Sequence, residues 1–564
     1  MANLSNINDK LVIDTDGKVG IGIVAPSRGP LHVNENSSGY CQVHLTNDTS
    51  GTTSGDGLTL FTNSADAGLM QRENSYLLFG TNDFQRMHIT ADGNVGIGVT
   101  PGAVVAGNIR LDVGTIGCGI TSRQNWETIL TANADYGTAT TTGKPATRIY
   151  LSNSGNFHFS TAPANTAGLA LTFTDMLYIS TGGQIYGKTA SLTGDTWFGY
   201  DAGLSLGAGY HNTLYGYYAG RGITTGTRNT IIGSQTAYTA AANMNYSVVI
   251  GYSAARYFAN TSNSNVIIGD NAAAVSAGCS SSVIIGQAAG LNNTASDIIA
   301  IGVSAGYNNT TGTWNTAIGA NALYTNATGT SNTAVGHQAV TNGTGSKTTG
   351  VGYRAGYYFT SGDENTFIGY LAGFSSAAAS TGTENTFIGS NSGASSAGIS
   401  GGGNTSLGRY TLYSLTSGSY NTVLGHQAGA SISTGDYNTV VGKNAGNVIG
   451  GGDYNTLVGA GAGIKITSGQ NNTVLGYEAM YNLATLSNNT AVGYQALYNT
   501  TTDGNTAFGY HAGLSSTTGG SNTFIGQQCH ALNQTGYGNT SIGMQTAYNG
   551  TAGIQNTYIG YAAG

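Results

Sequence analysis

The chain has 564 residues, 90 of them glycine, a charged fraction of 8% and a formal net charge of −7. No Lys/Arg cluster is present to form a phosphate-binding stripe, which argues against nucleic acid as a partner. No run of 18 apolar residues occurs, so we expect no membrane insertion. The 35 tyrosines and 14 phenylalanines argue against disorder.

The N-terminal third contains a hairpin motif in three copies. Residues 11–22 read LVIDTDGKVGIG, residues 87–98 read MHITADGNVGIG, and residues 177–187 give a weaker copy, LYISTGGQIYG. A short strand, an Asp-Gly or Gly-Gly turn and a second short strand are typical of a β-hairpin.

This spacing divides the N-terminal third into an attachment segment and two homologous modules. We predict an N-terminal attachment segment at 1–16 and two β-rich modules at 17–92 and 93–187. The first residues have no basic and apolar signal regions, so we expect no export signal.

A short repeat fills the rest of the chain, 188–564. The pattern Asn-Thr-Xaa-aliphatic-Gly and its variants occur in 22 units, counted by their Gly and spaced by about 17 residues. This period is too short for a helical hairpin or a propeller blade, so each unit is predicted to be one coil of a β-solenoid or β-roll. All five prolines precede the array, which fits a ladder that needs every backbone N–H. The fold is therefore predicted to be all-β, with two N-terminal modules and about 22 coils.

Each repeat position has a predicted role. Asn is expected to stack from coil to coil through its amide, and Gly to occupy a corner with positive φ. The two successive apolar residues point to opposite faces of a strand, so one stripe lies outside the coil. Such a stripe is too large to expose, and we predict that three parallel chains cover it. Two units represent these structural repeat residues: Asn315, Thr316, Ile318 and Gly319, and Asn421, Thr422, Leu424 and Gly425.

Tyrosine follows the corner glycine in many coils. Tyr477 and Tyr494 are examples, and a stack of such rings is predicted mainly to close the corner of the roll. Where the rings face outward they are candidate glycan contacts.

No catalytic constellation is evident, so we predict a protein that is not an enzyme. His337, His426 and His511 occupy repeat positions held elsewhere by other polar residues and are interpreted as surface substitutions. The solitary Asp453 does not make a calcium-binding repeat, and the four cysteines lie far apart. We expect no cofactor and no metal.

Two resemblances cover most of the chain. The Asn-Thr-Ala-Ile-Gly strand followed by an Ala-Gly pair, as in Ala428-Gly429, resembles the head repeats of trimeric autotransporter adhesins. The Asp-Gly-Asn-Val-Gly-Ile-Gly hairpin resembles modules of tail fibres of tailed phages, including marine and cyanobacterial phages. These resemblances imply a left-handed parallel β-roll in a homotrimer. The array stops inside a repeat at Gly564, so we expect a further tip or a processed C-terminal segment.

The resulting expectation is a structural attachment fibre of a virion, made in the host cytoplasm. Its partners would be two further copies of itself, a tail or baseplate protein at the N-terminus, and a host surface glycan or protein. A bacterial cell-surface adhesin or extracellular filament is the alternative. A monomeric ice- or surface-binding solenoid is a third, but it needs two outward Thr ranks per coil, and the repeat supplies one.

Overall fold

The computed structural model divides the chain into two compact units, residues Met1–Leu192 and Thr193–Gly564. In the part of the chain that the structure describes, no helix is long and apolar enough to cross a membrane. The described residues are 11–13, 19–21, 31–33, 41–45, 58–62, 67–72, 75–101, 109–113, 119–122, 128–132, 134–135, 138–139, 144–152, 154–165, 171, 173–179, 185–187, 194–239, 243–258, 263–276, 278–376, 379–482, 484–532, 535–550 and 552–564.

The first unit contains 18 described strands. Strands β7–β12 and β15–β18 form one ten-stranded sheet, β1–β3 and β4–β6 form two three-stranded sheets, and β13 pairs with β14. The strands are β1 Leu11–Ile13, β2 Val19–Ile21, β3 Leu31–Val33, β4 Cys41–Leu45, β5 Leu58–Thr62, β6 Ala67–Gln71, β7 Leu77–Thr81, β8 Phe84–Ile89, β9 Val95–Ile97, β10 Ile109–Val113, β11 Gly119–Ser122, β12 Thr128–Ala132, β13 Ala134–Asp135, β14 Thr138–Ala139, β15 Lys144–Leu151, β16 Phe157–Asn165, β17 Thr174–Ile179 and β18 Ile185–Gly187.

All three predicted hairpins are present. Strand β1 pairs antiparallel with β2, β8 with β9, and β17 with β18. In the first two copies the next strand joins in parallel, so that β2 pairs with β3 and β9 with β10. The two strong copies of the motif therefore have the same topology. The predicted module boundary between residues 92 and 93 falls between β8 and β9, which are neighbours in one sheet. The boundary stays a prediction.

The second unit is the predicted solenoid. Its 22 three-residue strands form one sheet in sequence order, and each pairs in parallel with the next, as Thr422 does with Thr439. The strands are β19 Thr196–Phe198, β20 Thr213–Tyr215, β21 Thr230–Ile232, β22 Val248–Ile250, β23 Val266–Ile268, β24 Val283–Ile285, β25 Ile299–Ile301, β26 Thr316–Ile318, β27 Thr333–Val335, β28 Thr349–Val351, β29 Thr366–Ile368, β30 Thr386–Ile388, β31 Thr405–Leu407, β32 Thr422–Leu424, β33 Thr439–Val441, β34 Thr456–Val458, β35 Thr473–Leu475, β36 Thr490–Val492, β37 Thr506–Phe508, β38 Thr523–Ile525, β39 Thr540–Ile542 and β40 Thr557–Ile559.

The interior of each coil is filled by the middle residue of its strand and by side chains from the opposite wall. In the coil of β32, Val423, Ala428 and Ile432 are all buried. Large and small residues compensate for each other: the Phe367 ring lies where a Cβ on Gly356 would come within 2.5 Å of it. Facing positions of different size can therefore fill the same interior space although the residues vary from coil to coil.

The turns between strands are also bonded to the neighbouring coil. The backbone N–H of Gly429 donates to the carbonyl of Ala445, and that of Ser431 donates to the carbonyl of Asn447. Each coil is thus held to the next on more than one side, which satisfies the backbone that short turns would otherwise leave unpaired. At about 4.8 Å per coil, 22 coils extend over roughly 100 Å.

Candidate functional site: the outer faces of the solenoid

The strands present a mixed polar and apolar face to the outside of the coil. Because side chains alternate along a strand, the first and third residues share the outward face, and the middle residue points inward. The outward residue Leu424 is 42% exposed and Ile318 is 36% exposed, whereas Val423 between Thr422 and Leu424 is buried. The predicted second apolar stripe is therefore present. It lies beside a single Thr rank.

The repeat asparagines form the buried ladder predicted from the sequence. Oδ1 of Asn421 accepts hydrogen bonds from the backbone N and from Nδ2 of Asn438, both at 3.0 Å. Nδ2 of Asn421 donates in turn to Oδ1 of Asn404 at 3.0 Å and to the carbonyl of Gly435 at 2.8 Å. Asn315 takes the same position and is also buried. The Asn421 amide therefore joins three coils, and its hydrogen-bonding groups are satisfied.

The corner glycines have the predicted positive φ, which is 127° for Gly319 and 135° for Gly425. A second constraint applies as well. A Cβ on Gly425 would stand 2.5 Å from the carbonyl oxygen of Gly442 in the next coil. Glycine is required at this corner both for its conformation and for the close approach of the coils.

Tyr477 and Tyr494 lie on the surface in a stack of three rings. The centroid of Tyr494 is 5.3 Å from that of Tyr477 and 5.3 Å from that of Tyr510, with interplanar angles of 14° and 13°. About half of each ring is exposed. The faces of Tyr494 are covered by its neighbours, so its edge and hydroxyl are what an external ligand meets. The stack itself is the aromatic ladder expected from the repeat.

A polar chain runs beside these rings. Nε2 of Gln495 donates to Oε2 of Glu478 at 2.8 Å, and Oε1 of Gln495 is 2.9 Å from Nε2 of His511. The hydrogen bond between Tyr477 and the Glu478 carboxylate raises the pKa of the Tyr477 hydroxyl, and partial burial lowers the pKa of His511. Tyrosine hydroxyls, a carboxylate and an imidazole are thus presented together on one outer corner.

The other two repeat histidines are dispersed. The His337 ring stacks on Tyr353 with centroids 5.5 Å apart, and His426 is exposed. No group of three His, Cys, Asp or Glu side chains suited to a metal occurs within the described residues. The carboxylate of Asp453 accepts the backbone N–H of Asp436 at 2.8 Å, which joins two coils.

One Ser-Asp-His cluster occurs in the first unit. Asp175 is 2.7 Å from Nδ1 of His158 and accepts the Ser160 hydroxyl at 2.5 Å. The acid therefore lies between the serine and the imidazole. A nucleophile would instead need its hydroxyl on the base, so this geometry does not form a catalytic triad.

Two surface features were not predicted from the sequence. A second tyrosine stack, formed by Tyr420, Tyr437 and Tyr454, has centroid distances of 5.1 and 5.2 Å. The sequence feature that could have predicted this stack is the residue before each repeat Asn, which is Tyr in these three successive units. This position is also left-handed: φ is 55° at Tyr437. A position that adopts positive φ with many residue types leaves no compositional signal comparable to that of the corner glycine.

Comparison with known proteins gives no relative: no family model, no curated protein and no solved structure matches the chain.

Proposed function

We propose that this protein is a homotrimeric attachment fibre of a virion. The observation that carries the proposal is the apolar column on the outward face of the strands. The third strand residue is aliphatic or aromatic in every coil and is buried in none of them. A column of this length on a monomer would far exceed the few hundred Å² of apolar patch usual on soluble proteins.

The apolar character is strongest in four successive coils. In β22, β23, β24 and β25 the first strand residue is also aliphatic, so both outward positions are apolar. The pairs are Val248 and Ile250, Val266 and Ile268, Val283 and Ile285, and Ile299 and Ile301. A face of this composition resembles the core of an obligate interface.

Parallel packing of identical chains suits this face because every coil offers the same surface at the same height. A cyclic arrangement of three copies gives each chain two partners, and a closed ring leaves no free sheet face. Bonding between successive coils would make such a rod stiff. In this proposal the first unit attaches to a tail or baseplate protein, and the solenoid carries contacts to a host surface glycan or protein.

Thiol accessibility tests the trimer directly. In a chain without its four natural cysteines, we expect Leu424→Cys to react slowly with a bulky maleimide because partner chains cover the strand face. The matched control is Tyr437→Cys, at a residue 50% exposed on a different corner of the coil, and we expect it to react fast. Equally fast labelling at both positions would show that the strand face is open to solvent and would contradict the proposed trimer.

A further inference from the structure

The solenoid has one basic stretch in an otherwise acidic array. Between Asp201 and Asp270 the only charged residues are three arginines, whereas from Asp270 onward there are nine acids and five Lys or Arg. The same stretch contains eight tyrosines. The arginines are Arg221, Arg228 and Arg256, and the tyrosines are Tyr210, Tyr215, Tyr217, Tyr218, Tyr238, Tyr246, Tyr252 and Tyr257.

Two of these arginines enclose a tyrosine. Arg221, Tyr238 and Arg256 hold the same position in three successive coils, five residues after the corner glycine. The guanidinium carbon is 5.4 Å from the Tyr238 centroid for Arg221 and 5.8 Å for Arg256. We call this set the Arg-Tyr-Arg strip.

Further aromatic contacts fix the ends of the strip. The Arg221 guanidinium lies 5.0 Å from the centroid of Tyr218, and Arg256 lies 5.1 Å from that of Tyr257. Nη1 of Arg221 donates to the Tyr238 hydroxyl at 2.8 Å. Cation–π contacts orient a guanidinium without neutralising its charge.

The charges of the strip are weakly compensated. The nearest acid to Arg221 is Asp201, with Oδ2 at 3.9 Å from Nε, which is beyond hydrogen-bonding distance. Within the described residues, Arg256 forms no ion pair, and the Nε atoms of Arg221 and Arg256 are buried without a hydrogen-bond acceptor. Arg354 differs: it contacts the rings of Tyr353 and Tyr357 in the same way, but its Nε donates to Gln338 at 2.7 Å.

We propose that the Arg-Tyr-Arg strip binds the carboxylate or sulfate groups of an acidic polysaccharide. Two coils separate the guanidinium groups, a rise of about 10 Å, which suits successive acidic groups on linked sugars. Guanidinium forks recognise carboxylate and sulfate oxygens, and Tyr217, Tyr252 and Tyr257 offer half-exposed rings nearby for sugar faces.

The observations favour a polysaccharide over two other anionic ligands. Three arginines give far fewer charges than the stripe that neutralises a nucleic-acid backbone. An acidic peptide binds through anchor side chains as well as through its charges, whereas the half-exposed rings of Tyr217, Tyr252 and Tyr257 are flat surfaces suited to sugar faces. The proposal names a ligand for the attachment function and rests on it.

Binding of purified protein to immobilised dextran sulfate and to uncharged dextran tests the strip. We expect binding to dextran sulfate only, weakening as salt is raised because the interaction is electrostatic. The double variant Arg221→Gln, Arg256→Gln should lose about ten-fold or more in affinity. Arg354→Gln, which removes an equally stacked charge, should bind as the unchanged protein does. The variant Arg221→Lys, Arg256→Lys keeps both charges but loses the guanidinium forks, so it should bind more weakly than the unchanged protein and more tightly than the double Gln variant.

The outcomes separate this proposal from the trimeric fibre. If the unchanged protein does not bind dextran sulfate at low salt, the proposed polysaccharide site is overturned. Equal losses of affinity in the Arg354→Gln variant and the double Gln variant would overturn it as well. Binding of polyuridylate as tightly as dextran sulfate, with the same dependence on Arg221 and Arg256, would also overturn it in favour of a nucleic-acid site. Native mass, measured on the same preparations, reports the trimer independently of any of these results.

Discussion

The two units of this protein satisfy their buried polar groups in different ways. In the solenoid, one solution recurs: in most coils an Asn amide bonds to the neighbouring coil, as Asn438 does to Asn421. In the first unit the solutions are individual, such as the ion pair of Arg110 and Asp112 at 2.7 Å within β10 and the Asn94 side chain that accepts the Arg110 N–H. A defect in the solenoid therefore acts on two coil interfaces, whereas one in the first unit acts on a single contact.

The comparison is sharpest at glycine, and the largest effect is expected there. Gly425→Ala adds backbone strain and a Cβ that would stand 2.5 Å from the Gly442 carbonyl oxygen, so we expect about 4 kcal/mol of local destabilisation. Gly93 in the first unit also has positive φ, at 86°, but no atom within 4 Å of an added Cβ. Gly93→Ala should therefore cost about 1–2 kcal/mol. Hydrogen exchange of the flanking amides measures both; equal costs would show that coil contact at the corner has no role.

Asparagine gives the second largest expected effect. Asn438→Ala removes the acceptor for two donors of Asn455 and leaves the Gly452 carbonyl without its side-chain donor, so we expect about 3 kcal/mol. Asn94→Ala removes the acceptor of one backbone N–H, that of Arg110, and should cost about 1 kcal/mol. Hydrogen exchange of the neighbouring amides is again the measurement. A cost for Asn438→Ala no larger than that for Asn94→Ala would contradict the ladder's role.

Buried histidines in the two units have different polar partners. His158 has an acid partner, Asp175, whereas the described polar partner of His530 is the Ser541 hydroxyl at 2.6 Å. Burial lowers the pKa of His530 from 6.5 to about 4. The unfolded imidazole gains a proton near pH 6.5 and the folded one does not, so stability of the last coils is present above pH 6.5 and is lost as pH falls towards 4.

Replacement of this histidine tests the pH dependence. His530→Leu, which introduces the residue found at the same position as Leu497, should flatten the pH dependence of hydrogen exchange in the last coils between pH 6.5 and 4. An unchanged pH profile in this variant would assign the effect to other groups.

The tyrosine stacks give the smallest expected effect on stability. Tyr494→Ala and Tyr437→Ala each remove the central ring of a three-ring stack, and each should cost about 1–2 kcal/mol. Adsorption to host cells separates them: Tyr477→Ala and Tyr494→Ala should weaken it while leaving the trimer intact, and Tyr437→Ala is the control on another corner. Unchanged adsorption in the Tyr477→Ala and Tyr494→Ala variants would contradict the hypothesis that these rings contact a glycan.

The solenoid was predictable because its sequence and its structure share one period. The Asn, Thr and Gly positions predicted the ladder, the strand and the corner, and all three are confirmed at Asn421, Thr422 and Gly425. The three hairpins of the first unit were predicted for a related reason, since an Asp-Gly or Gly-Gly turn fixes a local structure.

Features that depend on contacts between different positions were not predicted. The Arg-Tyr-Arg strip needs the register of three coils, and charge alone shows only scattered arginines. The order of the ten-stranded sheet depends on pairings such as β12 with β15, across a long connection, and no turn motif specifies it. The left-handed conformation of the residue before the repeat Asn could not be predicted either, because Tyr437 and the residues equivalent to it share no common side-chain chemistry.

The native mass in solution, measured by light scattering, tests the central claim most directly. A mass three times the single-chain value of 57.2 kDa is the result expected if parallel partners cover the outward strand column. A mass equal to that of one chain would mean that this column faces solvent, and it would contradict the trimeric attachment fibre.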